Sequence, residues 1–509
     1  MYHQVKYRLV RAKRSVKSTN GKFAHLRLEA SPTKAQALEV REGKWQFRFL
    51  NLEKSFAFGH IDWAFRGHGM LWTYNLNYFD WLHQADMTPK VGLESLEVFY
   101  TAVEENPIAL HPYPTSLRII NASKYVCKWQ VQEAWLHGQI VADLRLLESR
   151  LEYHLLANHL LENAFALYIG GLVTGERDLL AAGRELLAQQ LQEQILDDGM
   201  HYERSPMYHM IILERLLDAL NFAKACNDEL VDLLATYARK MTSLAMNWNG
   251  LERIPMMQDS AYGVAFSVPL VLEYSKRLLD SHFPTNAAKF KSSHYRASTS
   301  KALYCFINAG RIKPNFQPGH GHADELNFEL FVNGSPIIVD TGVSTYEPGI
   351  VRESQRSTSS HNCVTINGMN SSDVWSSFRV GRRAKVFLFE KPGEILVART
   401  DYVSNSRINR TFKVQENYFI LDDQINGSSE ALLEGRLHFH PSVTLFTETD
   451  DSFRLQDNKG EAYTLTFHGQ LKVNMRDYPY CMGYNKTQKA TRLEYTFKKS
   501  SRIKLTLIK

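Results

Sequence analysis

The stretch Gly319–Asp340, GHGHADELNFELFVNGSPIIVD, joins a cluster of titratable side chains to a β-hairpin. His320, His322 and Asp324 fall within five residues, and an apolar alternation, an Asn333-Gly334 turn and a second apolar run ending in Asp340 follow. Asn-Gly between two apolar runs signals a tight hairpin, because both residues tolerate the positive φ of a type I′ turn. That turn would set Asp340 opposite Asn327, so His322 would have to reach back from a loop to meet it. Residues two apart on an extended chain point the same way, so His320 and His322 are expected to face one cavity, with Gly321 allowing the bend. Two imidazoles and a carboxylate at a strand mouth can hold a metal ion, move a proton, or do both with different residues.

Outward from this hairpin the chain divides by texture. After Lys301, short runs rich in β-branched and aromatic residues (LYCFINAG, NCVTING, AKVFLF, EILVART, YFILDD, YTLTF, LEYTF, IKLTLIK) alternate with Gly, Asn, Asp and Ser, predicting an antiparallel sandwich. From about residue 90 to 282 apolar residues recur at helical spacing instead. Leu144, Leu147, Leu151 and Leu155 form one stripe, and Leu213, Leu216, Leu217 and Leu220 another. The polar segment 283–300 reads as a linker. The aromatic-rich segment from Asp62 to Trp81 is either helix-packing core or a sugar platform, and core burial is the commoner use of such rings. The predicted organisation is a lead-in over residues 1–55, a helical domain over 56–290 and a β-sandwich over 291–509.

With 509 residues, 44% hydrophobic and 22% charged, the chain has the composition of globular protein. No window approaches the roughly 18 uninterrupted apolar residues of a membrane span. The basic N-terminus MYHQVKYRLVRAKRSVKSTN has no apolar core of a secretory signal. The expected compartment is therefore the cytoplasm, or the periplasm or exterior if a leader has been removed. Five dispersed cysteines without CxxC spacing argue against a disulfide framework or thiolate zinc site. A net charge of +6 mildly favours an anionic partner, and 12% aromatic residues suit sugar rings. No nucleic-acid-binding motif is present.

Two further constellations carry chemistry. In HLLANHLLENAF, Asn158, His159 and Glu162 stand at i,i+4 and i,i+3 spacing and can gather on one side of a helix, as a site or as a polar plug between helices. In DGMHYERSPMYH, Ser205 before Pro206 marks a helix start, placing Tyr208 in the first turn. A third set adds His361, in SSHNCVT, to the histidines of the opening hairpin. Two histidines and a carboxylate with an open position suit zinc or manganese.

Together LWTYNLNYFDWL, NHLLENAFALYIGG, DGMHYERSPMYH, GHGHADELNFEL, VDTGVSTYE and RSTSSHNCVTINGMNSSDVWSSFRVGRRA resemble the heparinase II/III-like polysaccharide lyases in order and spacing across most of the chain. The resemblance implies an α+β protein, an incomplete α/α toroid followed by an antiparallel β-sandwich, with substrate bound in the cleft between them. It implies β-elimination on a uronic acid polysaccharide: a base takes the C5 proton, an acid protonates the leaving oxygen, and a 4,5-unsaturated ring remains. Asn158 and His159 match the positions that neutralise the uronate carboxylate, with Glu162 placed to orient His159. Tyr208 matches the catalytic tyrosine, which would protonate the leaving oxygen and could also act as base where proton and leaving group are syn; the base role requires a lowered pKa, toward which a helix N-terminus and nearby basic groups push. His320 matches the β-domain histidine, suited to act as base.

His322, Asp340 and His361 match the ligands of a divalent metal, with zinc or manganese expected in a mainly structural role. Asp324 has no assignment. Arg204, Trp375, Arg379 and Arg383 are candidate contacts to sulfate, carboxylate or sugar, with a solvated basic strand end as the alternative for the arginines of FRVGRRAK. The leading expectation is a glycosaminoglycan lyase acting on a substrate such as heparan sulfate, hyaluronan or chondroitin. Alginate or a bacterial exopolysaccharide is the alternative substrate. A non-catalytic glycan-binding or assembly protein and a metal-dependent hydrolase are the competing classes.

Overall fold

The computed structural model describes residues 14–16, 21–41, 43–57, 59–401, 406–426 and 431–508. Most of the basic N-terminal segment, and with it the expectation about a signal sequence, lies outside them. The chain separates into two compact units, one of Met1–Ile195, Ile211–Thr242 and Pro269–Thr285, the other of Leu196–Met210, Ser243–Val268 and Asn286–Lys509.

The first unit is helical, with a small antiparallel sheet of Leu38–Arg41, Lys44–Phe49 and Leu52–Ala57 that begins inside the expected lead-in. That sheet packs on the aromatic-rich segment: the Phe47 ring lies 6.1 Å from Trp63 and 5.9 Å from Trp81, edge-on to each. Trp63, Trp72, Phe79 and Trp81 are all buried, so these rings are core and not a sugar platform.

Helices Ala157–Thr174 and Arg177–Gln194 pack closely because glycines face the contact. A Cβ at Gly183 would stand 2.5 Å from Tyr168 N, and one at Gly171 would stand 2.8 Å from Leu180 Cα. Leu213, Leu216, Leu217 and Leu220 are buried on one helix, Pro206–Cys226, as the stripe predicts. The other stripe is broken. Its helix, Ala134–Glu148, buries Leu144 and Leu147 and stops before Leu151 and Leu155, which lie in the connecting segment and are only partly covered.

The second unit is an antiparallel sandwich. Four strands, Tyr295–Thr299, Leu303–Asn308, Phe328–Val332 and Ser335–Ile338, form one sheet in sequence order. The first of them falls inside the expected linker, where buried Tyr295 starts a strand paired along its length with Leu303–Asn308. The facing sheet runs in the order Lys385–Lys391, Glu394–Thr400, Arg407–Val414, Tyr418–Asn426, Thr487–Leu507, Ala462–Cys481, Ser452–Gln456, Thr444–Thr449. The inner faces share a core that includes Leu303, Ile307 and Leu330 from the four-stranded sheet, with Val397, Phe412, Leu421 and Ile503 from the other.

The hairpin forms as the sequence predicts: Val332 pairs with Ser335 across Asn333 and Gly334, whose φ angles are 49° and 82°. A register shift after Leu330 displaces the second strand, yet the Asn327 amide still donates to Asp340 Oδ2 at 2.5 Å. Buried Arg410, paired with Asp423 at 2.7 Å, donates to the carbonyls of Leu326 and Asn362. One core arginine therefore fixes the loops that carry Asp324 and His361.

Candidate active site

In the sandwich unit the site is built around Asp259, a residue with no readable motif. Its carboxylate accepts from Arg352 at 2.5 and 2.8 Å, from His320 Nδ1 at 2.7 Å and from His322 Nε2 at 2.8 Å. Burial would raise its pKa, but the Arg352 guanidinium and the two histidine hydrogen bonds hold it well below the usual carboxylate range. Because an ionised carboxylate only accepts, it fixes His320 with the proton on Nδ1 and His322 with the proton on Nε2.

His320 and His322 thus meet one carboxylate through opposite nitrogens. Gly321 between them is required by space: a Cβ there would lie 2.2 Å from Ile312 Cγ2. Glu203 Oε1 lies 3.6 Å from His320 Nε2, beyond hydrogen-bond range.

Tyr208 sits where the capping signal places it. Ser205 Oγ accepts from the Tyr208 backbone N–H at 3.2 Å, at the start of helix Pro206–Cys226. Its ring centroid is 4.3 Å from that of His320, and its hydroxyl is 3.4 Å from the Tyr346 hydroxyl. Tyr346 and Phe378 flank His320 at 6.0 and 5.9 Å, and Arg352 lies over both rings at 4.9 and 5.4 Å.

The expected lowering of the tyrosine pKa is not what this environment produces. Burial, then the neighbouring Tyr484, Glu203 and Asp259, push the Tyr208 phenol well above its ordinary value. The nearby charges are acidic, so the phenol stays protonated at neutral pH and is suited to give a proton rather than take one.

The metal cluster also differs in membership. One ligand atom from each of Asp324, Asp340 and His361 lies within 4.8 Å of the others, all three residues being buried. Asp324, unassigned by sequence, joins because Gln258 donates to both its oxygens, at 2.7 and 2.8 Å, and Asn308 donates at 3.0 Å. Burial pushes the Asp324 carboxyl up to about 7. His361 Nδ1 meets Asp340 Oδ2 at 2.8 Å, while its Nε2 is buried without a hydrogen-bond partner.

His322 is committed to Asp259 and stands outside this group of three. Its ring centroid is 5.4 Å from His361, and its Nδ1 is likewise buried without a partner. Burial lowers the His322 pKa to about 4, so the ring is neutral with Nδ1 carrying the lone pair. Two carboxylates and two imidazole nitrogens lacking partners have the donor chemistry of a divalent metal site.

In the helical unit His159 is oriented by Glu152, not by Glu162. His159 Nδ1 lies 3.1 Å from Glu152 Oε1, and Asn163 donates to Glu152 Oε2 at 3.0 Å. Burial opposes ionisation of Glu152, but His159 and the hydrogen bonds outweigh it and lower its pKa. The Tyr113 ring packs 4.4 Å from that of His159.

Glu162 faces inward and pairs with Arg215 at 3.1 Å, in a buried network where Arg215 also meets Asp218, and Asp218 meets Lys124 at 2.6 Å. The i,i+3 spacing leaves an offset of about 60° on a helix, enough to separate a half-exposed histidine from a buried glutamate. Asn158 is buried in the first turn of the same helix, directly after Leu156 and Ala157 with φ of 58° and 53°. Positive φ at two successive non-glycine residues is strained backbone of the kind that collects at functional sites.

The four expected substrate contacts divide. Arg204 is buried with φ of 62°, and its guanidinium donates to Arg311 O at 2.6 Å and Asn308 Oδ1 at 3.1 Å. Arg383 donates to the carbonyls of Ile312, Pro314 and Asn315. Both hold loops. Trp375 and Arg379 pair across a two-stranded hairpin, and both are exposed. Glu152, Asp259, Tyr346 and Arg352 escape the sequence reading; Tyr346 and Arg352 lie in or beside quoted motifs, whereas Asp259 carries no local pattern.

The architecture of a helical unit and an antiparallel sandwich defines a two-domain α+β protein. Residues 120–288 match the heparinase II/III N-terminus and residues 283–506 the heparinase II/III-like C-terminal region. The chain belongs to the heparinase II/III-like family. It is 25% identical over 393 residues to a heparin-sulfate lyase of Bacteroides stercoris, covering 69% of this chain and 56% of that protein. A heparin-sulfate lyase of Pedobacter heparinus is 21% identical over 281 residues, covering 48% and 40%. The chain thus spans about half the length of the curated relatives it matches.

A crystal structure of heparinase III shares the fold, with a TM-score of 0.66, 15% identity and coverage of 89% of this chain and 80% of that one. A mutant of the heparan sulfate lyase of Pedobacter heparinus gives 0.60 at 17% identity, covering 91% and 81%. The toroid-and-sandwich expectation is met by these likenesses.

Glu162 offers a test of the buried network. Burial raises its pKa to about 7 despite Arg215. A folded-state value above the unfolded one gives stability that is full below about pH 4.3 and is lost as pH rises through about 7. Replacing it by glutamine removes this dependence, so between those limits Glu162→Gln should lose stability less steeply than the unsubstituted chain, by on the order of 3 kcal/mol. Thermal melts across that range measure the difference, and parallel pH profiles would contradict it.

Proposed function

We propose that this protein is a polysaccharide lyase that cleaves uronate-containing glycosaminoglycan chains by β-elimination. The observation that carries the reading is the Asp259–His320–Tyr208 arrangement: an imidazole with its Nδ1 proton fixed by a carboxylate, its ring 4.3 Å from that of a protonated phenol. An imidazole held this way presents Nε2 as a proton acceptor, and a phenol of raised pKa is a proton donor. These are the base and acid that elimination needs, His320 taking the C5 proton and Tyr208 protonating the leaving C4 oxygen.

The C5 proton becomes acidic enough only when the adjacent carboxylate is neutralised and its developing dianionic form is stabilised. Asn158 and His159 are the residues proposed for this role. Both lie in the first turn of the 18-residue helix Ala157–Thr174, where the helix dipole favours an anion. Glu152 holds the His159 ring by its Nδ1. Exposed Trp375 and Arg379 supply an apolar face and a cation for further sugar contact. Heparan sulfate is the proposed substrate because two curated relatives are heparin-sulfate lyases.

The metal is proposed as zinc or manganese held by Asp324, Asp340, His361 and His322, in a structural role. A bound divalent ion supplies charge that neutralises the two buried carboxylates and locks the loop bearing His320. Replacing His361 by alanine should reduce bound metal on elemental analysis and lower the melting temperature together; full metal content in the variant would contradict the ligand set.

Activity is read by incubating the protein with heparan sulfate, hyaluronan, chondroitin sulfate and alginate and following the ultraviolet absorbance of the 4,5-unsaturated uronate. Heparan sulfate should give the largest signal. Tyr208→Phe should lower that rate by about 1,000-fold, within the range that loss of a positioned acid produces, with an unchanged circular dichroism spectrum. Unsubstituted rates in Tyr208→Phe would remove the phenol from the mechanism, and new reducing ends without that absorbance would indicate hydrolysis.

A further inference from the structure

The outer face of the larger sheet is built differently from an ordinary solvated sheet face. Its inner side is sealed by Val397, Ile408, Phe412, Leu421 and Ile503, all almost fully buried, so the alternating side chains point away from the core. The register fixes which these are. Phe389 pairs with Leu396, Leu396 with Thr411, Thr411 with Asp422 and Asp422 with Arg502, a continuous row across five strands.

On the outward positions of these five strands, counting the last only over Ser500–Thr506 where it pairs with Tyr418–Gln424, stand six basic side chains, Lys385, Lys391, Arg407, Lys413, Arg502 and Lys504. Only two acids share those positions, Glu394 and Asp422, and both are already paired, with Lys413 at 2.9 Å and Arg502 at 2.6 Å. Among the described residues, Lys385, Lys391, Arg407 and Lys504 have no carboxylate within ion-pair distance. The chain as a whole carries a net charge of only +6, so much of its excess is gathered here.

Aromatic rings interleave with these cations. Phe387 and Phe389 are 46% and 50% exposed, an unusual fate for neighbouring phenylalanines on one strand face. Arg407 lies 5.6 Å over the Phe387 ring, and Lys504 lies 4.8 Å over Tyr418. Phe389, Lys391, Glu394, Leu396, Arg407 and Asn409 line a shallow pocket of about 310 Å³. The pocket shares no residue with the His320 cluster.

We propose that this face is a second binding surface for an anionic polysaccharide, anchored in the Phe389–Arg407 pocket. The choice of polyanion rests on the function proposed above. The apolar side of a sugar ring can cover Phe387 or Phe389, while its carboxylate or sulfate meets Arg407 and Lys391 through charge-assisted hydrogen bonds. The cations stand strands apart, a spacing suited to charges set along a sugar chain. A phosphate backbone, with a charge on every nucleotide, calls for closer clustering. Holding a long chain here raises its local concentration at the protein without adding a contact to the reacting sugar.

The test uses the Phe389→Ala/Arg407→Ala double variant, surface changes that leave the core intact. Binding of a fluorescent heparan sulfate chain is followed by anisotropy in a Tyr208→Phe background, and turnover of a heparan sulfate tetrasaccharide is followed with Tyr208 restored. The double variant should bind the long chain about tenfold more weakly, as loss of an aromatic and an arginine anchor does, with tetrasaccharide turnover unchanged. Unchanged chain affinity would overturn the proposal. So would an equal loss of tetrasaccharide turnover, which would make the face part of the reacting site. Tighter binding of oligothymidylate than of heparan sulfate would overturn it in favour of nucleic acid, and a dimer dissociated by the variant on light scattering would overturn it in favour of a second copy. The anisotropy arm does not depend on catalysis, so absence of elimination by the unsubstituted chain counts against the lyase reading and not against this surface.

Discussion

A single buried carboxylate, Asp259, sets the protonation pattern of the sandwich unit's site. Left unpaired in that environment it would cost several kcal/mol or take up a proton. Arg352 prevents this by a two-pronged contact, and is itself fixed through the Ser377 carbonyl at 3.0 and 2.8 Å. The ionised carboxylate then orders two rings at once. His320 keeps Nε2 as its acceptor nitrogen, with Glu203 Oε1 3.6 Å away, and neutral His322 is left with a lone pair on a buried nitrogen. Proton transfer and metal ligation are thus divided between histidines two residues apart by which nitrogen each gives to Asp259.

The helical unit repeats the device at smaller scale. Glu152 is held by both ends of Asn163, which donates to its side chain and accepts from its backbone N–H at 2.8 Å. The carboxylate so fixed orients His159. Both sites adjoin strained backbone, at Leu156 and Ala157 in one unit and at Arg204, Gln258 and Leu326 in the other. Each such residue costs on the order of 1–3 kcal/mol and persists only where surrounding contacts over-determine it. At Gln258 those contacts are visible: its side chain donates to Asp324 and accepts from the His322 backbone. The strain therefore links Asp259, beside it in sequence, to the carboxylate of the metal cluster.

How much of this the sequence reveals depends on the range of the interaction. The Asn333-Gly334 hairpin, the Ser205 cap and the helical-then-β texture are local, and all are readable. Helical spacing suggests Glu162 as the partner of His159 because it measures proximity along one helix; the actual partner, Glu152, comes from the turn before the helix. Asp259 lies 61 residues from His320 and 93 from Arg352, so no window of sequence contains the contact. The direction of the Tyr208 pKa escapes sequence as well, since it is set first by burial and then by Tyr484 and Asp259, which arrive from distant segments, together with nearby Glu203. Arg204 and Arg383 look like ligand contacts in sequence, and only the fold shows their terminal nitrogens donating to Arg311 O and Asn308 Oδ1 and to the carbonyls of Ile312, Pro314 and Asn315.

The most direct measurement is the ring nitrogen NMR spectrum of His320, recorded on protein labelled at histidine nitrogen and well above the ordinary imidazole pKa. A neutral His320 ring with a protonated Nδ1 and a bare Nε2, changed by Asp259→Asn, is the predicted result. A ring carrying its proton on Nε2, or a spectrum indifferent to Asp259→Asn, would contradict the account.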